Sequence, residues 1–293
     1  MTSKPTVDYR KRFLVEPAAK LQLASIDPDF KGAHETHQQA QPDLDLYCAK
    51  LMRQQALMYA QRKHALLIVL QALDSGGKDG TVNHVFAAFN AQGATVTGFK
   101  QPTPLELAHD FLWRVHPHVP AKGWVAIFNR SHYEDVLVTR VHKLIDRSTC
   151  IQRYERIRDF EAELFESGTT IVKFFLHISK QEQLERFEKR LDDASHRWKI
   201  SEADYSEREL WGDYMAAYED ALGATSAPHA PWYVIPANHK WFRNLAVSQI
   251  VADTLEDLGM TFPQPTVDLA DIRRKYHAAV LQEQQQPSPS RRK

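Results

Sequence analysis

Apolar and polar positions fall into two patterns along this chain. ALLIVLQAL (residues 65–73) is a short apolar run, the pattern of a strand covered on both faces. ATVTGF, WVAIF, TTIVKFFLHI and WYVIP repeat it further on. Between them, apolar residues return every three or four positions, as in LYCAKLMRQQALMYAQR, which is the period of an amphipathic helix. Helices are expected near residues 81–91, 104–115, 132–143, 151–167, 180–191, 207–222 and 240–258. Strand–helix alternation of this kind predicts one three-layer α/β/α domain around a parallel five-stranded sheet. Residues 180–222 are expected to stand off partly as a helical flap.

The ends read differently. Residues 1–42, rich in Pro, Gln, Asp and Lys, predict an irregular arm before a main domain at 43–262. Residues 263–293 form a C-terminal extension whose tail, QEQQQPSPSRRK, is low in complexity and expected to be disordered.

Composition narrows the function. Lys+Arg and Asp+Glu both number 37, so a broadly basic nucleic-acid-binding surface is not expected, although a local basic groove is compatible with this balance. Cys48 and Cys150 lie far apart, which argues against a disulfide framework or a cysteine zinc site. There is no apolar stretch of signal-peptide length at the start and no run of 18 apolar residues. A soluble cytoplasmic protein without a membrane partner is expected.

The candidate chemistry begins at QALDSGGKDG (residues 71–80), which approaches the phosphate-loop pattern G-x-x-x-x-G-K-[ST]. Ala72 stands at the first glycine and Asp79 at the final hydroxyl. A buried strand before the loop and a helix after it supply the right context, because amides at a helix start favour an anion. Ser75, Gly76, Gly77, Lys78 and Asp79 are the candidate phosphate cradle, with Lys78 as its point charge. A plain glycine turn is the competing reading, and for Asp79 the role of N-terminal cap or first-turn acid ranks above a catalytic one. Asp74 favours the cradle: a carboxylate beside phosphate is repulsive unless a cation lies between, and Mg²⁺ prefers one or two carboxylates plus phosphate oxygens.

NRSHYED (residues 129–135) follows the third strand, at the edge where open α/β sheets bind ligands. Asn129 stands where phosphate-loop enzymes usually carry an acid; Arg130 can neutralise phosphoryl charge, and Ser131 suits a helix cap. Lys100, after the second strand, faces the same edge. Arg114 can reach a phosphate or pair with a carboxylate, while His116 and His118 lack further metal ligands nearby and read as structural. Arg186, Lys189 and Arg190 share a helix face, with Arg197 and Lys199 beyond, as a basic cover for a phosphoryl donor. Pairing with Glu182, Glu185 and Glu188 is the alternative.

Together, QALDSGGKDG, FKQPTPLELAHDFLWRVH, IFNRSHYEDV and the stretch from LERFEKRL to SHRWKISEADY resemble the second family of polyphosphate kinases, over about residues 45–260. The resemblance implies a P-loop kinase-like fold with a helical lid, and Mg²⁺-dependent, reversible transfer from inorganic polyphosphate to AMP and ADP. Mn²⁺ is a candidate substitute, and GMP and GDP are further candidate acceptors. It implies Asp74 as metal ligand, Lys78, Arg130, Arg190 and Lys199 as phosphate contacts, and Glu134 near the nucleotide; Arg130, Asn129 and Arg114 are further candidates for contact with the nucleotide. With Asn129 in place of the family's usual acid, Glu134 or Asp135 is the candidate second metal ligand, through water. NRSHYED is similar to the third class of the family, which phosphorylates both mono- and diphosphates. The family further implies a homodimer or homotetramer. An ATP-dependent kinase of the same fold and a non-catalytic phosphate-binding regulator are the alternatives.

Overall fold

The computed structural model describes residues 7–195 and 197–285. The chain opens with α1 (Tyr9–Phe13), α2 (His37–Gln61), β1 (Ala65–Gln71), α3 (Lys78–His84) and β2 (Ala94–Gly98). It continues through α4 (Pro104–Leu107), β3 (Val125–Asn129), α5 (Val138–Val141), α6 (Arg147–Glu166) and β4 (Thr169–His177). Then come α7 (Lys180–Asp192), α8 (Glu202–Glu209), α9 (Trp211–Thr225), β5 (Trp232–Pro236), α10 (Lys240–Glu256) and α11 (Leu269–Gln285).

The sheet is parallel, with strand order β2-β3-β1-β4-β5. Strand side chains alternate between faces, and the core divides accordingly. Leu66, Ile68 and Leu70 of β1 join Val172, Phe174 and Leu176 of β4 against α2 and α10 residues such as Leu51, Met58, Leu245 and Ile250. Leu67 and Val69 join Ala126, Phe128 and Phe175 against Tyr154 and Ile157 of α6 and Tyr218 and Leu222 of α9. Both faces of β1 are therefore buried, which is why its sequence is apolar from Ala65 to Leu70, while the buried Gln71 at its end donates to the Ser131 hydroxyl. Truncating one of these leucines to alanine costs about 2–5 kcal/mol. In register, Leu70 faces Asn129 while Gln71 faces Phe175, so the loops after β1 and β3 leave the same edge side by side.

Several elements depart from the pattern. Helix α2 begins at His37, inside the expected arm, capped by the Thr36 hydroxyl on the Gln39 amide and carrying Pro42 in its second turn. The arm is also bound to the body: Leu14 bridges antiparallel to Tyr233, and the Val15 amide donates to the Trp232 carbonyl. The helix expected at 104–115 is only the turn α4, because Leu105 and Leu107 are exposed and an Asp110 turn follows. NRSHYED folds as a short 3-10 turn, His132–Asp135, with the Ser131 hydroxyl capping the Tyr133 amide, before α5. The stretch 207–222 divides at Leu210. Helix α9 then buries Tyr214, Ala217, Tyr218, Ala221 and Leu222, so the exposed cover ends before it.

The described residues from 261 onward form a separate unit, within which α11 carries exposed Leu269, Ile272, Tyr276 and Leu281. The last part of the tail expected to be disordered, residues 286–293, lies outside the described residues.

Candidate active site

The loop after β1 is held in shape by backbone conformations that few residues adopt. Gly77, at φ +104°, starts α3 without a side-chain cap. At Gly76 a Cβ would come within 2.5 Å of the Ala72 Cβ, so only glycine fits there. Ser75 at φ +61° and Arg130 at φ +63° are left-handed non-glycine residues, a strain common in binding loops.

Two loops converge through Asp74 and Arg130. The Arg130 Nη2 donates to Asp74 Oδ1 at 2.8 Å, and its Nη1 lies 3.6 Å from Glu134 Oε2. Gln183 of α7 donates to the Asp74 carbonyl at 2.9 Å, tying the cover to the loop. The Asn129 amide donates to Asp79 Oδ1 at 2.8 Å, crossing from β3 to the first turn of α3. Lys78 is buried, its ammonium donating to the Ala72 carbonyl at 2.7 Å and the Leu73 carbonyl at 3.3 Å. Burial, then the Arg130 guanidinium, push its pKa down to about 8, against the opposing pull of Asp74, Glu134 and Asp79. Burial also raises the Glu134 carboxyl above its usual range, with Arg130 and Lys78 opposing.

These groups border a cleft of about 1070 Å³. Asp74, Ser75, Gly76, Gly77, Lys78, Asp79, Lys100, Asn129, Arg130, Arg186, Lys189 and Arg190 all line it, so most of the expected site is assembled in one place. A smaller pocket, on which Glu134, Trp211, Tyr214 and Tyr218 open, shares Asp74 and Arg130 with the cleft.

Other expected residues are engaged elsewhere. Asp135 does not line the cleft: its carboxylate is 3.2 Å from Arg114 and 3.9 Å from Arg153. That geometry makes Asp135 an anchor for the 3-10 turn rather than a metal ligand. Arg114 is buried and donates to the Lys100 carbonyl as well, so it takes the carboxylate-pairing role rather than facing a nucleotide. Arg186 borders the cleft but is nearly saturated. It donates to Glu182 Oε1, to the Ser75 carbonyl and to the Ala237 and Asn238 carbonyls, bracing the loop against the end of β5. Arg197 donates to the Leu191 carbonyl, away from the cleft lining. Lys199 closes the turn Arg197–Lys199, and its side chain lies outside the described residues.

Below the 3-10 turn lies a buried polar cluster that the sequence pattern did not reveal. Lys173 of β4 donates to Glu161 Oε2 at 2.6 Å, to the Tyr133 hydroxyl at 2.9 Å and to the Thr225 carbonyl at 2.9 Å. His132 adds a 3.3 Å contact to Glu161. His132 and Tyr133, adjoining Arg130, are thereby fixed to the core. Lys240, Arg243 and Asn244 also line the cleft without having been foreseen. Their signal was available: HKWFRN follows the fifth strand, on the same ligand-facing edge.

A glycine-lined loop, a buried lysine at a helix start and a cleft edged by cations define a phosphate-loop protein built to hold a polyanion. A family model described as polyphosphate kinase 2 matches residues 34–262. The chain belongs to the polyphosphate kinase 2 family. It is 50% identical over 256 residues to an AMP/ADP-polyphosphate phosphotransferase of Meiothermus ruber, covering 87% of this chain and 96% of that one. It is 41% identical to an ADP-polyphosphate phosphotransferase of Rhodopseudomonas palustris, covering 87% and 93%. A solved polyphosphate kinase 2 from Arthrobacter aurescens superposes with a TM-score of 0.85 at 43% identity, over 89% of this chain and 93% of that one.

Proposed function

We propose that this protein is a polyphosphate-dependent nucleotide kinase that forms ADP from AMP and ATP from ADP. The observation that carries this reading is the meeting of Asp74, Lys78 and Arg130 at the head of a cleft bordered by Lys100, Lys189, Arg190 and Lys240. A polyphosphate has no base to recognise, so a row of cations suffices to bind it. The likeness to the phosphotransferase of Meiothermus ruber supports AMP and ADP as the acceptors.

The reaction is an in-line displacement. A terminal phosphate oxygen of the nucleotide bonds to the end phosphorus of the chain, the P–O–P link to the next phosphate breaks, and the chain leaves one unit shorter. Arg130 and Lys78 neutralise the charge on the moving group, which is the main demand of a loose transition state. The loop amides orient it. Among the described residues no cluster of three His, Cys, Asp or Glu forms a ready-made metal cage. That fits Mg²⁺, which takes one or two carboxylates and completes its shell with phosphates and water. Asp74 would hold it, about a third exposed beside the loop, with Asp79 as the neighbouring acid; Mn²⁺ can substitute. Bound there, such an ion would supply charge neutralisation for the phosphoryl groups.

Guanine nucleotides as further acceptors, a homodimer or homotetramer, and a cytoplasmic location complete the proposal. The two cysteines are free, and among the described residues no helix is long and apolar enough to cross a membrane. The test supplies Mg²⁺ and AMP or ADP with either polyphosphate or a nucleoside triphosphate as donor. Product formed with polyphosphate supports the reading. Product formed only with the triphosphate makes the protein an ATP-dependent kinase, and binding without turnover makes it a regulator.

A further inference from the structure

The left-handed backbone of Ser75 has to be held from outside the phosphate loop. A non-glycine residue keeps such a conformation only where its surroundings over-determine it. The Ser75 hydroxyl does not help, being buried without a hydrogen-bond partner among the described residues. Two supports come instead from α7. Arg186 Nη1 donates to the Ser75 carbonyl at 2.8 Å, and Gln183 Nε2 donates to the preceding carbonyl, that of Asp74, at 2.9 Å. The placement of α7 therefore governs how the phosphate loop is held.

That placement is set by Asn238, in the loop between β5 and α10. The Ser179 amide donates to Asn238 Oδ1 at 2.9 Å, and Asn238 Nδ2 lies 3.3 Å from the hydroxyl of Ser179, the N-cap of α7. The Asn238 carbonyl accepts from Arg186 Nη2 at 3.1 Å. Asn238 thus grips α7 at its cap and again about two turns further on. It lines neither the cleft nor the smaller pocket, so whatever it does for the reaction passes through other residues.

Asn238 is itself clamped by the N-terminal arm. Its amide donates to the Pro28 carbonyl at 3.2 Å, and its Nδ2 donates to Asp29 Oδ1 at 2.9 Å. The next arm residue, Phe30, fixes this point to the body. Its ring meets those of Phe13 and Phe242 edge to face, with centroids 5.8 and 5.4 Å apart, and the Arg12 guanidinium lies 4.0 Å from its centroid.

We propose that Asn238 is a positioning residue for phosphoryl transfer, and that Pro28 and Asp29 of the N-terminal arm hold it in register. The line of contact runs from Asp29 through Asn238 to Ser179 and Arg186, and from Arg186 to Ser75. It gives the arm a part in the reaction although neither Pro28 nor Asp29 lines a cavity. The rate measurement below rests on the polyphosphate-dependent reading; the exchange measurement does not.

The experiment compares wild type, Asn238→Ala, Asp29→Ala, Asn238→Asp and the swapped pair Asn238→Asp/Asp29→Asn. Hydrogen–deuterium exchange is followed in peptides covering residues 72–80, 178–187 and 234–241. The kcat for ATP formation from ADP and polyphosphate is measured well below each melting temperature. Asn238→Ala is expected to speed exchange in all three peptides and to lower kcat about tenfold or more. Asp29→Ala moves both quantities the same way by less, since the Pro28 carbonyl stays in place. Asn238→Asp sets two carboxylates face to face and lowers kcat, while the swapped pair restores an amide-to-carboxylate bond and recovers it. An asparagine that merely closes its own turn predicts faster exchange confined to 234–241, a lower melting temperature and an unchanged kcat, and this overturns the proposal. A swapped pair no better than Asn238→Asp overturns it too. Should Asn238→Ala fail to fold, Asp29→Ala decides, because the Asp29 side chain is 65% exposed: unchanged exchange at 72–80 in that variant overturns the proposal. Wild type that makes no ATP from polyphosphate refutes the functional reading alone, since exchange at the phosphate loop still reports on the line of contact.

Discussion

Lys78 offers a quantitative handle on the site. Its pKa in the fold lies at about 8, against an ordinary 10.5, because burial and Arg130 disfavour the charged form. The difference corresponds to about 3 kcal/mol at 1.36 kcal/mol per unit. A phosphate contact needs the charged lysine, of which about nine-tenths is present in the free enzyme at pH 7 and about one-tenth at pH 9. The rate constant kcat/KM for polyphosphate should therefore fall about tenfold between those pH values. Lys78→Arg, whose charge persists, should flatten that limb. Stability carries the opposite sign. With the folded-state pKa below the unfolded one, the unfolded chain holds more protons between pH 8 and 10.5, so stability rises across that window. Urea denaturation should show wild type gaining up to about 3 kcal/mol on Lys78→Met as pH rises through it. A kcat/KM flat from pH 7 to 9.5 in wild type, or a limb retained in Lys78→Arg, refutes the assignment.

Three further outcomes follow from the geometry. Asp135→Asn should lower stability by loosening Arg114 and Arg153 yet leave the Mg²⁺ concentration for half-maximal rate unchanged, whereas a metal ligand would shift it; a Mg²⁺ titration decides. Lys173→Met leaves Glu161 buried without its cation and should cost about 3–5 kcal/mol by urea denaturation, most of it recovered in Lys173→Met/Glu161→Leu. Gly76→Ala forces the loop off the Ala72 methyl, so turnover should collapse while circular dichroism stays that of the wild type.

Strands β1, β3, β4 and β5 were legible because a strand buried on both faces is mostly apolar, and the partly exposed edge strand β2 also emerged from its run. The heart of the site was legible for a related reason. Asp74, Lys78, Asn129 and Arg130 all follow apolar runs, and parallel strands deliver such residues to one edge. Side-chain direction was not legible. Asp135 and Arg114 carry suitable charges, but the 3-10 turn aims them at each other, and a sequence shows charge without aim. Arg186 has the spacing of a phosphate contact, yet nearby carbonyls of the loop and of the β5 end take its donors. Lys173 was hidden in an apolar strand, since its partner Glu161 sits in the buried stripe of α6 where an acid is not expected and its third contact is a backbone carbonyl. The limit of the cover was misplaced because periodicity alone does not register that α9, WGDYMAAYEDALGAT, is far more apolar overall than α7, KQEQLERFEKRLD, and so packs deeper.

The central claim is that the Asp74 carboxylate joins a divalent cation to the donor chain. Its most direct test is the initial rate of ATP formation from ADP and polyphosphate in Asp74→Asn, an isosteric change at a residue about a third exposed. A rate at least about a hundredfold below wild type, with an unchanged melting temperature, is the predicted result. A rate near that of wild type at the same Mg²⁺ concentration would contradict it.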